Sequence, residues 1–469
     1  MTQLMPHQVE GVDFLLTRRA GLLAFEQGLG KTLVAIDGFR RLHQSGEAGR
    51  MLVICPNSLK RNWVAELARF APTLTVQIAE GTPQKRRKVF AQTAAAVVIT
   101  SYETARAEIT AILALLARAP TALVLDESHA AKNWRSFTST AARHFAPHSA
   151  WRWLLSGTPV TNSPADLFTQ IDIVTAGKTP LGDMDAFVAD MEEGTPSRRA
   201  ELRERAGEFI LRRTKEQCLD LPDKMFADVM VELPQWQRSL YDDVRDSIVA
   251  ELRTMTGEQY KVFASTALVR LTRLAQLASN PALIAPTETR TPGKWAELDS
   301  ILGDIMSVPG RKVILWSIYV ETIEALAKRY AAHHPVTIYG AVEATERQAI
   351  AGRFQDDAET RLMIANPAAA GTGFTLTAAA FTIYESLSWR YDYYAQSQDR
   401  NHRIGQDKTV TYIRVIAADT IDEAMVEALR RKADMAADLL GDDGGAPRVV
   451  DLSRDQMCDL LLHNRMPSG

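Results

Sequence analysis

Short apolar runs rich in β-branched residues recur along the first third of the chain, at residues 21–25, 51–55, 97–100, 121–125 and 153–155. Each stops on a polar or turn-forming residue: Glu26, Pro56, Ser101, Asp126 and Ser156. Between the runs lie segments of helical spacing. Another such segment, residues 1–20, precedes the first run; there Val9, Val12, Phe14, Leu15 and Leu16 form an apolar stripe behind Gln8. Strands buried on both faces and alternating with helices predict a parallel sheet covered on both sides. Ligands of such sheets sit beyond the carboxyl ends of the strands, which is where the polar stops fall.

The pattern changes over residues 164–284. The strand signal fades, charged helix formers dominate, and Leu268, Leu271, Leu274 and Leu277 repeat an apolar position. This stretch predicts helical insertions. Residues 285–293 carry Pro286, Pro292 and Gly293 and read as a linker. The strand–helix alternation then resumes, with runs at 313–316, 336–339, 362–365, 381–384 and 410–416. The expected fold is α/β: two parallel-sheet lobes at 1–163 and 294–440, separated by the helical region 164–284 and the linker 285–293. A helical tail is expected at 441–469, with a break at Gly441, Gly444 and Gly445.

Composition narrows the class. A chain of 469 residues is too long for one core, so two or three domains are expected. With 46% hydrophobic and 24% charged residues it has the make-up of an ordinary globular protein. No apolar stretch reaches the roughly 18 residues of a spanning helix; the longest, residues 105–125, is cut by Arg106, Glu108 and Arg118. No basic-then-apolar leader precedes Pro6, and Cys55, Cys218 and Cys458 are too far apart for a disulfide framework or zinc knuckle. The expectation is a cytoplasmic protein, nucleoid-associated if bacterial, with no membrane partner. The net charge of −3 says little, but residues 1–150 hold 18 lysines and arginines against 11 acidic residues, whereas residues 291–469 hold 19 against 25. A basic first lobe suits a phosphate backbone; the excess is equally a solvated run at Lys85-Arg86-Arg87-Lys88.

The chemistry begins at Glu26-Gln27-Gly28-Leu29-Gly30-Lys31-Thr32. A strand, a glycine-rich turn and a helix start form an anion cradle, because unpaired backbone N–H groups and the helix dipole point at one spot. Lys31 adds a mobile positive charge for phosphates, and the Thr32 hydroxyl is a candidate ligand for Mg²⁺. Phe25 stands where the first glycine of this pattern falls, and an ordinary loop is the competing reading. Asp126 and Glu127 follow the run at 121–125. One carboxylate there can hold Mg²⁺ and the other can orient water, or both can simply suit a helix start. Ser156-Gly157-Thr158-Pro159 either senses the phosphate state or caps a helix. Ala370-Gly371-Thr372-Gly373 reads as a backbone-exposing loop, and Arg400 and Arg403 share one face of an expected helix.

In order and spacing these motifs resemble those of superfamily-two helicases. Within them the likeness is to the Swi/Snf-type ATPases, which include chromatin remodellers and annealing, fork-remodelling translocases. Pro6-His7-Gln8 resembles the adenine-reading motif, Gly28 to Thr32 the phosphate loop, and residues 55–63 and Thr100-Ser101-Tyr102 the next two motifs. Asp126-Glu127-Ser128-His129 and residues 155–162 follow the family's next two patterns. Leu211-Arg212-Arg213-Thr214-Lys215, Leu221-Pro222-Asp223-Lys224 and Asn280-Pro281 resemble its insertion landmarks. Residues 315–317, 369–376 and 396–406 match the last three motifs. Phe25, Thr375, Glu385 and Arg390-Tyr391 depart from the family's usual residues.

The resemblance implies two RecA-like lobes, ATP and Mg²⁺ as cofactors, and double-stranded DNA (or a forked or single-stranded form) as partner. The implied activity is a DNA-dependent ATPase that moves along DNA. Gln8, Gly28, Gly30, Lys31 and Thr32 would bind nucleotide, with Gln8 reading adenine; Thr32 and Asp126 would hold the metal; and Glu127 would activate water. Arg400 and Arg403 would complete the site from the other lobe, and Ser101, Tyr102, Trp316 and Thr375 would contact DNA. A strand-separating or annealing helicase is the nearest alternative, and an ATP-gated DNA-binding scaffold without turnover is the alternative of another class.

Overall fold

The computed structural model describes residues 3–370, 374–440 and 454–463. The described chain forms two compact units, one built on residues up to Asp220 with 434–440, the other on residues 221–433 with 454–463. The expected loop at Gly371-Thr372-Gly373 and the break at Gly441 to Gly445 lie outside the described residues. Among the described residues, no helix is long and apolar enough to cross a membrane.

The first unit carries a seven-stranded sheet. Its strands are β1 (Ala20–Phe25), β2 (Arg50–Cys55), β3 (Val76–Ile78), β4 (Val97–Ser101), β5 (Thr121–Asp126), β6 (Trp151–Leu155) and β7 (Ile210–Arg213). The order is β3-β4-β2-β5-β6-β1-β7, and every pairing is parallel. β1, β2, β4 and β5 are buried along their whole length, as two-sided cover requires. Three helices matter for the site: α1 (Pro6–Arg18), α2 (Lys31–Gln44) and α3 (Lys60–Phe70).

The second unit carries six parallel strands in the order β10-β11-β9-β12-β13-β8. They are β8 (Lys224–Val231), β9 (Val313–Trp316), β10 (Val336–Ile338), β11 (Leu362–Ala365), β12 (Phe381–Tyr384) and β13 (Val410–Ala417). Alternate residues feed two cores, as the two-residue period of a strand dictates. Val313, Leu315, Leu362 and Ile364 pack with Leu298 and Leu302 of the helix Gly293–Met306, whereas Ile314, Trp316, Met363 and Ala365 join the opposite core. The fold is α/β with two parallel-sheet units, as expected.

The region 164–284 departs from its expected character. It is mostly helical, with helices at Pro164–Val174, Met184–Glu193, Pro196–Gly207, Gln235–Thr254 and Gly257–Ser279, yet it also supplies β7 to the first sheet and β8 to the second. Both are edge strands. β8 is exposed over most of its length, Met225, Phe226 and Met230 included, and Asp228 cuts its apolar run in two. The leucine repeat at 268–277 also divides: Leu271, Leu274 and Leu277 are buried while Leu268 is 55% exposed. Steps of three fall 60° short of a full turn, so three steps carry a residue to the opposite face of a 3.6-residue helix.

Candidate active site

The phosphate-loop sequence folds as its glycines demand. Gly28 (φ 90°) and Gly30 (φ 83°) adopt the left-handed conformation that side chains disfavour, and α2 begins at Lys31 with no side chain capping it. The Lys31 ammonium donates to the carbonyls of Phe25 (2.8 Å) and Glu26 (3.3 Å). Leu29 is held from α1: its carbonyl accepts from the Gln8 amide (3.3 Å) and lies 3.0 Å from His7 Nε2. The Gln8 side-chain oxygen also accepts from the Met5 N–H, so this buried amide is anchored at both ends. The departure Phe25 is fully buried and meets the His7 ring edge-on at 5.8 Å. Glu26, beside it, accepts from the Lys215 N–H (2.9 Å) and pairs with Arg212 (3.4 Å).

The ends of β5 and β6 complete this side of the sheet. Asp126 is buried, with Oδ2 accepting from Trp63 Nε1 (2.8 Å) and Oδ1 from the Glu127 N–H (3.0 Å). Burial, and then the neighbouring Glu127 carboxylate, push the Asp126 carboxyl up to about 6; the Trp63 N–H and the Lys31 ammonium pull the other way. Glu127 itself sits at φ 50°, a left-handed conformation costly for a residue with a side chain. Its Oε2 lies 3.3 Å from His129 Nδ1, and that nitrogen is 3.5 Å from Ser156 Oγ. Gly157 passes so close to the loop that an added Cβ would stand 3.0 Å from Gln27 Cγ and 3.5 Å from Lys31 Nζ. Three neighbouring strands, β1, β6 and β5, therefore deliver a lysine, a bare backbone and a carboxylate pair to one place.

The donor set suits Mg²⁺. Thr32 and Asp126 offer hard oxygen ligands, and a buried carboxylate raised by burial is a place where a cation offsets the cost. Among the described residues no group of three or more His, Cys, Asp or Glu forms a metal cage. Mg²⁺ bound through one or two carboxylates and substrate phosphates needs none.

In the second unit Arg400 and Arg403 converge on the Phe374 carbonyl, at 3.5 and 3.3 Å. They do not lie on a helix, contrary to expectation. The helix Tyr391–Gln398 ends before them and the chain turns, with Gly405 at φ 97°. Side-chain amides hold this turn: Asn401 donates to Ala379 O and Thr382 Oγ1, and Gln406 donates to the carbonyls of Thr377, Ala379 and Asn401. All but the Gln406–Asn401 bond reach back to residues 377–382, so a neighbouring segment fixes this turn.

Three of the four residues carried over as DNA contacts are internal. Ser101 caps the helix Tyr102–Ala107 through Thr104 N, Tyr102 donates its hydroxyl to the Asp126 carbonyl (2.9 Å), and Trp316 is fully buried in the second unit. Only Thr375 is exposed. Sequence reasoning placed His7, Gln27 and Trp63 inside its motifs without giving any of them a task of its own.

A model of the SNF2-related domain matches residues 7–283, and one of the helicase conserved C-terminal domain matches residues 293–405. The chain belongs to the SNF2-related family. Among relatives of this SNF2-related chain is an uncharacterized ATP-dependent helicase of Mycoplasma pneumoniae, 29% identical over 94% of this chain and 43% of its own length. A putative ATP-dependent helicase/translocase of Bacillus subtilis is 28% identical over 98% of this chain and 50% of its own. A solved SWI2/SNF2 ATPase core of Sulfolobus solfataricus, in complex with double-stranded DNA, is 25% identical, with a TM-score of 0.44 over 98% of this chain and 97% of that one. The chain thus spans half or less of the curated relatives it matches.

Proposed function

We propose that this SNF2-related chain is a DNA-dependent ATPase that moves along double-stranded DNA. The convergence of Lys31, the Asp126–Glu127 pair and Gly157 at three adjacent strand ends, behind an uncapped helix start, carries the reading. Lys31 leaves the Phe25 and Glu26 carbonyls for the nucleotide phosphates, and the α2 N–H groups cradle them. Thr32 and Asp126 would hold Mg²⁺, which when bound offsets charge on the phosphates. Glu127 takes the proton of the attacking water, and His129 steadies its carboxylate.

Gln8, anchored on Leu29, is assigned to adenine, and Arg400 and Arg403 to charge on the transferred phosphoryl group. Residues 164–284 are assigned as the family's insertion, residues 285–293 as the link to the second motor lobe, 294–440, and 441–469 as its tail. Thr375 is proposed as a DNA contact, while the burial of Ser101, Tyr102 and Trp316 favours a supporting role for them. Phosphate contacts would dominate, so binding should weaken steeply with salt and depend little on sequence.

The test is ATP hydrolysis by wild type, Lys31→Ala and Glu127→Gln with duplex, forked, single-stranded and RNA ligands at matched salt. Stimulation by duplex that vanishes in both variants is expected. Equal rates in all three proteins would remove the enzyme reading and leave a scaffold.

A further inference from the structure

Asp126 is gripped from three sides within the first unit. Trp63 Nε1 on α3 donates to Oδ2 at 2.8 Å, the Glu127 N–H donates to Oδ1 at 3.0 Å, and the Tyr102 hydroxyl donates to the main-chain carbonyl at 2.9 Å. Trp63 is 1% exposed and Tyr102 7%, so water does not compete for either donor. A carboxylate oxygen accepts two hydrogen bonds, which leaves each Asp126 oxygen with capacity for a further partner. Bonds to both oxygens also fix the plane of the carboxylate. The Glu127 bond comes from the main chain and survives any side-chain change; the other two are single donors from the segments that follow β2 and β4.

We infer that Trp63 and Tyr102 are positioning residues: the indole N–H aims the Asp126 carboxylate and the phenol pins its backbone, so that Mg²⁺ meets a pre-set ligand. This rests on the ATPase reading above. It gives Tyr102 a task other than touching DNA, and it makes α3 and the helix Tyr102–Ala107 the parts of the first unit whose movement reaches the metal ligand through one bond each. Partners that orient a metal-binding carboxylate typically matter 10–100-fold in metal affinity or activity, whereas a residue that merely fills volume changes stability.

The two are separable because Trp63→Phe keeps an aromatic ring and removes the N–H, and Tyr102→Phe removes only the hydroxyl. The measurement is binding of a fluorescent non-hydrolysable ATP analogue to the full chain in EDTA and across a Mg²⁺ titration, with the melting temperature of each variant alongside. Trp63→Phe should bind the analogue in EDTA within about twofold of wild type and need about 10–100-fold more Mg²⁺ for the half-maximal effect. Tyr102→Phe should shift the Mg²⁺ requirement the same way by about 2–10-fold, the worth of one neutral hydrogen bond. An unchanged Mg²⁺ requirement, or a loss equal in EDTA and Mg²⁺, overturns the inference. If Trp63→Phe does not fold, Tyr102→Phe decides by the same criterion. Absence of analogue binding by wild type overturns the ATPase reading itself and the inference with it.

Discussion

Lys294 opens the helix Gly293–Met306 and is 1% exposed. Its ammonium pairs with the Asp422 carboxylate and donates to the Glu385 carbonyl at 3.0 Å. Asp422, 5% exposed, also accepts from the Ala417 N–H at 3.1 Å on Oδ2. Lys294→Met preserves the aliphatic stem and deletes the charge, which strands a carboxylate in the core of the second unit. Breaking a buried pair by removing one partner costs about 3–5 kcal/mol, whereas replacing both partners is often close to neutral. For a body of 150–250 residues about 1 kcal/mol moves Tm by roughly 2–4 °C, so the single variant should melt about 6–20 °C lower. Adding Asp422→Asn should recover most of that loss. The assay is scanning calorimetry on wild type, both single variants and the double, read as a double-mutant cycle. A single-variant loss below about 1 kcal/mol, or a double variant that loses the sum of the singles, would refute the claim that this pair is mutually compensating.

Other outcomes follow from the same reasoning. Gly30→Ala should cost about 1–2 kcal/mol from its left-handed φ of 83° alone; its new Cβ would collide with the Gln8 amide, so weaker nucleotide binding should accompany the lower Tm. Leu271→Ala should destabilise by about 2–5 kcal/mol, while Leu268→Ala, on the exposed face of the same helix, should stay within about 0.5 kcal/mol of wild type in urea unfolding. Asn401→Ala removes two donated bonds, to Ala379 O and Thr382 Oγ1, and one of the two acceptors within reach of the Tyr412 hydroxyl, the other being the Gln398 carbonyl. With the arginine-bearing turn loosened, kcat for ATP should fall more than KM rises; the opposite split would argue against Arg400 and Arg403 acting in turnover.

The central strands were legible in the amino-acid pattern because burial on both faces leaves a contiguous apolar run, as in β2, β5, β9 and β12. β3, β7 and β8 were not: all three lie at sheet edges, and polar residues cut their short runs, Gln77 in β3, Arg212 and Arg213 in β7 and Asp228 in β8. β10, the remaining edge strand, was found because its run is apolar throughout except for Thr337. The phosphate loop was equally legible: Gly28, Gly30 and Lys31 act through backbone geometry and a helix start, which are local. The turn at Arg400 and Arg403 was misread as helix because Asn401 and Gln406 are held by the distant segment 377–382, a partnership that sequence spacing does not show.

What the sequence by itself determined is therefore what is encoded within a few residues: burial period, left-handed turns, the chemical type at each strand end. What only the tertiary structure decided is partnership. Trp63 and Tyr102 stand 63 and 24 positions from Asp126, and nothing in their spacing distinguishes them from core aromatics. They meet the carboxylate because β4, β2 and β5 lie side by side in parallel register, so that their following segments emerge on one edge. Hydrogen bonds reach about 3 Å, and which groups come that close is settled by the packing of the whole sheet rather than by any stretch of chain.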